Sequence, residues 1–276
     1  MERIREAIKL AKTQRDAGII AVSGDRTRVE AENDAGRLHD SEPSTRSAIR
    51  TVRVNHRHLE SMRIIAHRSD NPDVAAFDML RTKILQGMDQ HGWQILVVTS
   101  PTVGCGKTVT AVNLALSIAR QPERSVVLVD LDLRKPMVAD VLGLRLNHYL
   151  SGYIDGSIGI EDIVIHIDVA GPQLSIISNN TMMPHSSEII VSRQIKSLFD
   201  KLKTNPSRPI IVVDMPPVLV SDDVIAFLPQ ADCSILTVSE GESTARDIEA
   251  SDAMLSQTNF LGCVLTKSNE RIDTYY

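Results

Sequence analysis

Aromatic residues make up only 3% of this 276-residue chain, with one tryptophan, four tyrosines and four phenylalanines. So little π-surface argues against a stacking platform for unpaired bases and against the aromatic belts of a membrane-spanning protein. No apolar run approaches the roughly 20 residues needed to cross a bilayer. Residues 1–18 (MERIREAIKLAKTQRDAG) are charged throughout and lack the apolar core of a secretion leader. Cysteine is scarce, and Cys105, Cys233 and Cys263 have neither paired nor metal-type spacing, which fits a reducing compartment. Positive charge is not in excess: 30 Lys and Arg against 35 Asp and Glu leave a net charge of −5, so no nucleic-acid partner is expected. The expectation is a cytoplasmic protein.

What is present is a globular composition. The 42% of hydrophobic residues can fill one α/β domain of about 200 residues, with an extension left over. Within residues 1–20, Ile4, Ala7, Ile8 and Ala11 share one helical face ahead of Gly18, which predicts an amphipathic helix that docks on a partner or on its own domain. Residues 21–48 are polar and poor in large apolar side chains, so they read as a flexible linker. Residues 46–68 carry six arginines against Glu60, with His56, His58 and His67 among them. Such a stretch can be a patch for an acidic partner or lipid headgroups. Val54, Leu59, Met62, Ile64 and Ile65 favour a lead-in that partly packs onto the domain, which is taken as residues 49–276. The His56-x-His58 pair has no further ligands with it and does not predict a metal site.

From residue 72 the chain alternates helical patterns with the apolar runs ILVVT (95–99), VVLVD (126–130), LSIIS (174–178), PIIVVD (209–214), CSILTV (233–238) and LGCVLT (261–266). Helices are expected at about 72–88, 107–120, 187–203, 221–229 and 244–257. Continuous apolar strands between helices predict a doubly wound, mainly parallel sheet covered on both faces. Ligands of such sheets bind off the carboxyl ends of the strands.

The segment SPTVGCGKT (100–108) joins the first of these strands to a helix. Gly104 and Gly106 let backbone N–H groups approach phosphate oxygens, and the helix N-terminus adds free donors and its dipole. Lys107 can reach β- and γ-phosphates, and the Thr108 hydroxyl can ligate Mg²⁺. A full glycine-rich loop would have glycine where this chain has Pro101. Two further strand ends carry acids. VVLVDLDLRKP places Asp130, Asp132 and Arg134 at alternate positions, and PIIVVDMPP ends its strand on Asp214. Carboxylates beside a triphosphate suit Mg²⁺. Cys105, at a helix N-terminus beside Lys107, reads as a small tolerated loop residue rather than an oxidisable thiol.

Taken in order, SPTVGCGKT, VLVDLDLRKP and IIVVDMPP resemble the bacterial tyrosine kinases, which belong to the deviant phosphate-loop class that also holds the MinD and ParA ATPases. The resemblance covers roughly residues 72–276. It implies a nucleotide site built from Thr102, Val103, Gly104, Cys105, Gly106, Lys107, Thr108 and Val109, with Arg134 and Thr266 contributing. It implies ATP and Mg²⁺ as cofactors, with Thr108, Asp132 and Asp214 on the metal. It also implies Lys107, Asp130, Asp132 and Asp214 as the catalytic set, in which Asp130 positions the tyrosine hydroxyl or takes its proton. The family autophosphorylates a C-terminal tyrosine cluster, which here corresponds to Tyr275 and Tyr276. Its members govern capsule and exopolysaccharide polymerisation and export. The form without a fused transmembrane pair is activated in trans by a membrane-embedded co-polymerase, which recruits it to the inner face of the plasma membrane. A homo-oligomer would follow from one subunit's tyrosines entering a neighbour's site. Four departures stand out: Val103 and Cys105 replace the family's proline and glutamate; Ala75, Asp78 and Arg81 stand at the Glu-x-x-Arg-x-x-Arg positions of the oligomer helix; the last strand ends Val264-Leu265-Thr266 rather than Val-Leu-Asn; and no transmembrane pair is fused. The alternative is a nucleotide-gated scaffold or positioning ATPase of the MinD/ParA kind without kinase activity.

Overall fold

The computed structural model describes residues 51–68, 73–169 and 174–268. The expected N-terminal helix (1–20), the linker (21–48) and the Tyr275–Tyr276 pair lie outside the described residues. The chain runs β1 (Thr51–Arg53), α1 (His56–Ser61), α2 (Val74–His91), β2 (Ile95–Thr99), α3 (Lys107–Ala119) and β3 (Val126–Asp130). Three short helices follow, α4 (Val138–Val141), α5 (Leu150–Ile154) and α6 (Ile160–Ile163), and then β4 (Ile165–Asp168) and β5 (Leu174–Ile177). The second half is α7 (Ser186–Ile190), α8 (Arg193–Lys203), β6 (Ile210–Asp214), α9 (Asp223–Phe227), β7 (Cys233–Ser239), α10 (Ala245–Leu255) and β8 (Asn259–Thr266).

The eight strands form one sheet in the order β1-β4-β5-β3-β6-β2-β7-β8. All neighbours pair in parallel except β4 and β5, so the sheet is mainly parallel, as expected. The apolar runs that show no alternation in sequence do alternate in space. Leu96, Val98, Val126, Leu128, Ile210 and Val212 enter the core on one face. Ile95, Val97, Val127, Val129, Ile211 and Val213 enter the core on the other. A strand buried on both faces has no polar face to reveal its period.

Helix α3 is apolar nearly all round, and every residue from Thr110 to Ala119 is buried. Such a helix must be covered on all sides. It packs against α2 on one side and β2, β3 and β6 on the other. Helix α8 has a narrower stripe, with Ile195, Leu198, Phe199 and Leu202 buried at i, i+3, i+4 and i+7. The single helix expected over 187–203 is in fact two. Ser192 adopts an extended backbone and its side chain accepts from Ile195 N–H, so it caps α8 rather than continuing α7.

The arginine-rich lead-in packs, over its described part. Leu59, Ile64 and Ala66 are fully buried and Val54 nearly so. Its anchor is Asn113, wholly buried on α3. Asn113 Oδ1 accepts from the N–H groups of Ile65 (2.8 Å) and Ala66 (2.9 Å), and its Nδ2 donates to the carbonyls of Arg63 (3.0 Å) and Val109 (2.9 Å). One side chain thus satisfies three backbone groups of a segment that has no ladder there. Asn113→Ala leaves these groups unpaired in the interior and is expected to cost about 2–4 kcal/mol. Urea unfolding would show this as a lower midpoint at unchanged slope; an unchanged midpoint would mean that the lead-in is not held this way.

Candidate functional site

The carboxyl ends of β2, β3 and β6 lie side by side. Asp214 is in register with Asp130 on one neighbour and Val98 on the other. The loop after β2 is fastened to the exit of β6. Val218 N–H donates to Ser100 O (2.8 Å), Leu219 N–H donates to Pro101 O (3.3 Å), and Thr99 Oγ1 donates to Pro216 O (2.6 Å). Pro101 therefore serves as a buried anchor. Left-handed backbone is needed only at Gly104 (φ 84°) and Gly106 (φ 80°), and Gly106 is the N-cap of α3.

Four side chains meet at this loop. Lys107 Nζ lies 2.6 Å from Asp132 Oδ2 and 3.5 Å from Asp214 Oδ1, and it donates to Thr108 Oγ1 at 3.3 Å. The Thr108 hydroxyl donates to Asp214 Oδ2 at 2.6 Å. Lys107 is only 13% exposed and Asp214 not at all. Burial works against the lysine's charge, yet Asp214 and Asp132 together outweigh it, and the ammonium is held above its ordinary pKa. Burial also pushes Asp214 up, against the pull of Lys107 and the Thr108 hydrogen bond. Two carboxylates, Asp132 and Asp214, share one ammonium, which leaves the site short of positive charge.

That shortage, and the donor chemistry, fit a small hard cation. Asp214 Oδ1 is buried without a hydrogen-bond partner, and the oxygens of Asp132, Asp214 and Thr108 are the ligand type magnesium prefers. Among the described residues no three His, Cys, Asp or Glu side chains form a metal cage of their own. Magnesium bound through one or two carboxylates, waters and substrate phosphates needs none.

The other expected site residues divide into two groups. Val103 is 71% exposed at the loop tip. Thr266, at the end of β8, stands beside the loop. Its Oγ1 lies within hydrogen-bond reach of Cys105 O (2.9 Å) and Val238 O (3.1 Å), and a Cβ on Gly106 would touch its methyl at 3.6 Å. Cys105 is buried, with its Sγ turned toward Thr102 and Ser243 at 3.5 and 3.6 Å, so only its backbone faces a phosphate. Arg134 is engaged elsewhere. It pairs with Asp222 (3.0 Å) and with fully buried Asp223 (3.3 Å), which also accepts from Ser186. This is a difference from the expectation that placed Arg134 on the nucleotide. The acidic pair Asp222-Asp223 was the available clue to this pairing; sequence reading also missed Ser243 under the loop.

Asp130 requires a correction. The expectation gave it the tyrosine hydroxyl, but it is completely buried and its oxygens are occupied. Oδ2 accepts from the N–H groups of Met137 (3.0 Å) and Val138 (2.9 Å) and from Ser178 Oγ (3.3 Å), and Oδ1 accepts from Asp132 N–H (3.2 Å). Burial, and then Asp214, push its pKa up to about 8, against the pull of the Val138 N–H. Asp130 folds the loop that carries Asp132. Alternation along a strand puts Asp130 and Asp132 on one side only while the strand lasts, and here it ends at Asp130.

A glycine-bearing loop between strand and helix, with lysine and threonine opening the helix and two acids on adjacent strand ends, defines a phosphate-loop nucleotide-binding protein. A family model described as the CobQ/CobB/MinD/ParA nucleotide binding domain matches residues 96–275. "Tyrosine-protein kinase CpsD" of Streptococcus pneumoniae serotype 4 is 30% identical over 189 residues, 66% of this chain and 79% of CpsD. "Tyrosine-protein kinase etk" of Escherichia coli K12 is 28% identical over 212 residues, 75% of this chain but only 28% of Etk. Among solved structures, the kinase domain of Escherichia coli Etk superposes with a TM-score of 0.67 at 26% identity, covering 77% of this chain and 83% of that one. The kinase domain of VpsO gives 0.63 at 27% identity, covering 71% and 95%. The chain belongs to the CobQ/CobB/MinD/ParA nucleotide-binding family and, within it, to the bacterial tyrosine kinases.

The two placements of Asp130 differ in what its removal does. Asp130→Ala is expected to lower stability by about 2–4 kcal/mol in urea unfolding, because it strands buried backbone donors. A variant that unfolds at the wild-type midpoint but loses turnover would restore Asp130 as the group that meets the substrate.

Proposed function

We propose that the chain is an ATP- and Mg²⁺-dependent tyrosine autokinase that phosphorylates Tyr275 and Tyr276 and thereby regulates polymerisation and export of a capsule or exopolysaccharide. The observation that carries this reading is the convergence of Lys107, Thr108, Asp132 and Asp214 at one loop. The names of the relatives at that loop support the choice of kinase over positioning ATPase.

Each residue has a defined task. The loop amides and the Lys107 ammonium grip the β- and γ-phosphates, and the ammonium trades Asp132 for phosphate oxygen as nucleotide enters. Thr108, Asp132 and Asp214 would hold the cation, which would supply charge neutralisation for the transferring phosphoryl group. The phenol oxygen forms its bond to the γ-phosphorus, the bond to the β–γ bridging oxygen breaks, ADP leaves and the phenol proton passes to solvent. Such a loose transition state asks little of a base, so the burial of Asp130 does not impede it. Positioning and charge supply most of the acceleration. The tyrosines come from a second copy. A membrane-embedded co-polymerase, acting in trans, activates the chain and brings it to the inner face of the plasma membrane. Among the described residues no helix is long and apolar enough to cross a membrane.

Pure protein incubated with Mg·ATP and the cytoplasmic fragment of its co-polymerase is expected to gain phosphate on Tyr275 or Tyr276, read by mass spectrometry. Lys107→Met should lower incorporation by about 10²–10³-fold. Phosphate release without any modified tyrosine would instead establish a positioning ATPase.

A further inference from the structure

An open cavity of about 490 Å³ lies between α5, α6 and α8 and shares no residue with the phosphate-loop site. Its long wall is α8. Arg193, Ser197 and Lys201 stand at i, i+4 and i+8 and form one stripe about 12 Å long on that helix. The first turn of α8 belongs to the same wall. The Ser192 side chain takes the Ile195 N–H, while the N–H groups of Arg193 and Gln194 have no acceptor among the described residues. Neither the Arg193 guanidinium nor the Lys201 ammonium pairs with a carboxylate among those residues. Lys201 Nζ lies instead over the Tyr153 ring, 5.5 Å from its centre. Tyr153 lines the cavity, is only 9% exposed, and its hydroxyl has no hydrogen-bond partner among the described residues. A hydroxyl on so buried a ring normally has a partner, so this one marks a place for a ligand atom. The one carboxylate in the lining, Glu161, is folded back over Gly159, where a Cβ would collide with it. Asp155, outside the lining, accepts from the Ser157 N–H at 2.9 Å.

Two unpaired cations and the free N–H groups of a helix start call for an anion, and a phosphate group suits both. A bare phosphate is too small for this wall, because it cannot reach Arg193 and Tyr153 together. Between and opposite the cations stand the Ser197 and Tyr153 hydroxyls and the Glu161 carboxylate. Donors and one strong acceptor at that spacing hydrogen-bond a chain of hydroxyl groups. A stacked aromatic ligand fits less well, since Lys201 already covers the Tyr153 face. We propose that this cavity binds a sugar phosphate, with the phosphate at Arg193 and the α8 N-terminus and the sugar hydroxyls on Ser197, Tyr153 and Glu161. The volume lies within the range of about 300–1,000 Å³ usual for small-molecule sites. What such a ligand is for rests on the proposed function: a regulator of polysaccharide assembly would sense the phosphate-activated sugars that polymerisation consumes. The cavity also has a bonded route to the catalytic loop. Leu150 N–H, at the start of α5, donates to Ser178 O (2.9 Å), and Ser178 Oγ donates to Asp130 (3.3 Å), which folds the loop that carries Asp132.

The test is calorimetric titration of the full-length chain with glucose 1-phosphate, in saturating Mg·ADP so that the phosphate loop is already filled. Inorganic phosphate and glucose are run beside it. The expected result is saturable binding at least about tenfold tighter for glucose 1-phosphate than for either comparison. Arg193→Ala combined with Lys201→Ala should weaken it at least about tenfold while circular dichroism and Mg·ADP affinity stay unchanged. Tyr153→Phe keeps the ring and its packing, loses only the hydroxyl, and should weaken it about three- to tenfold. Absence of saturable binding, inorganic phosphate binding as tightly as the sugar phosphate (a bare anion site), or full binding in either variant would each overturn the proposal. No phosphoryl transfer is involved, so a failed kinase reading shows separately, as no phosphotyrosine formed from Mg·ATP in the wild-type chain.

Discussion

The ammonium of Lys107 is the group on which the site depends. Asp130 and Asp214 end adjacent strands in a core that excludes water, with Asp132 two residues on, and burial penalises the charge of the first two. Lys107 is the one cation among them, reaching Asp132 and Asp214 at once. The penalty is not fully compensated, as the raised pKa values of Asp130 and Asp214 show. Such a site is held in wait for more positive charge and for an anion that releases the lysine from its carboxylates. Charge is therefore arranged in advance of the substrate, so little reorganisation is left for the reacting state.

Much of this was legible in the sequence, for a physical reason. The central strands are continuous apolar runs ended by an acid or a glycine-bearing loop, and their limits at 95–99 and 126–130 match the structure. What was not legible lies at the sheet edge and in the middle of the chain. β1, at the edge, and β4, next to it, are three and four residues long and carry polar side chains on one face, so no apolar run marks them. The β4–β5 pair runs antiparallel through a short connection, where the alternation of helix and strand lapses. Asn113 was invisible because a buried asparagine inside an apolar helix carries no pattern; its role follows only from the backbone that lies across it.

Within the site, residue types were easier to read than residue tasks. Lys107, Thr108, Asp132 and Asp214 are brought together as their spacing implied. Asp130 sits in the same motif and does something else. The chain leaves its strand at Leu131, and the turn that follows needs acceptors for Met137 and Val138. An aspartate at the last strand position serves that turn, while one two residues on is free to face the loop. Pro101 teaches the converse. The missing first glycine is no loss, because its position calls for a rigid anchor against the β6 exit and not for left-handed backbone.

Helix α3 connects the two ends of the molecule. It spans about 20 Å, begins with Lys107 and Thr108 in the phosphate loop, and ends at Ser117 and Arg120 in the Asp78 network. It is buried over nearly its whole length. At the positions of the family's oligomer helix, Asp78 turns its charge inward to bind Arg81, Ser117 and Arg120, which ties α2 to α3 within one chain.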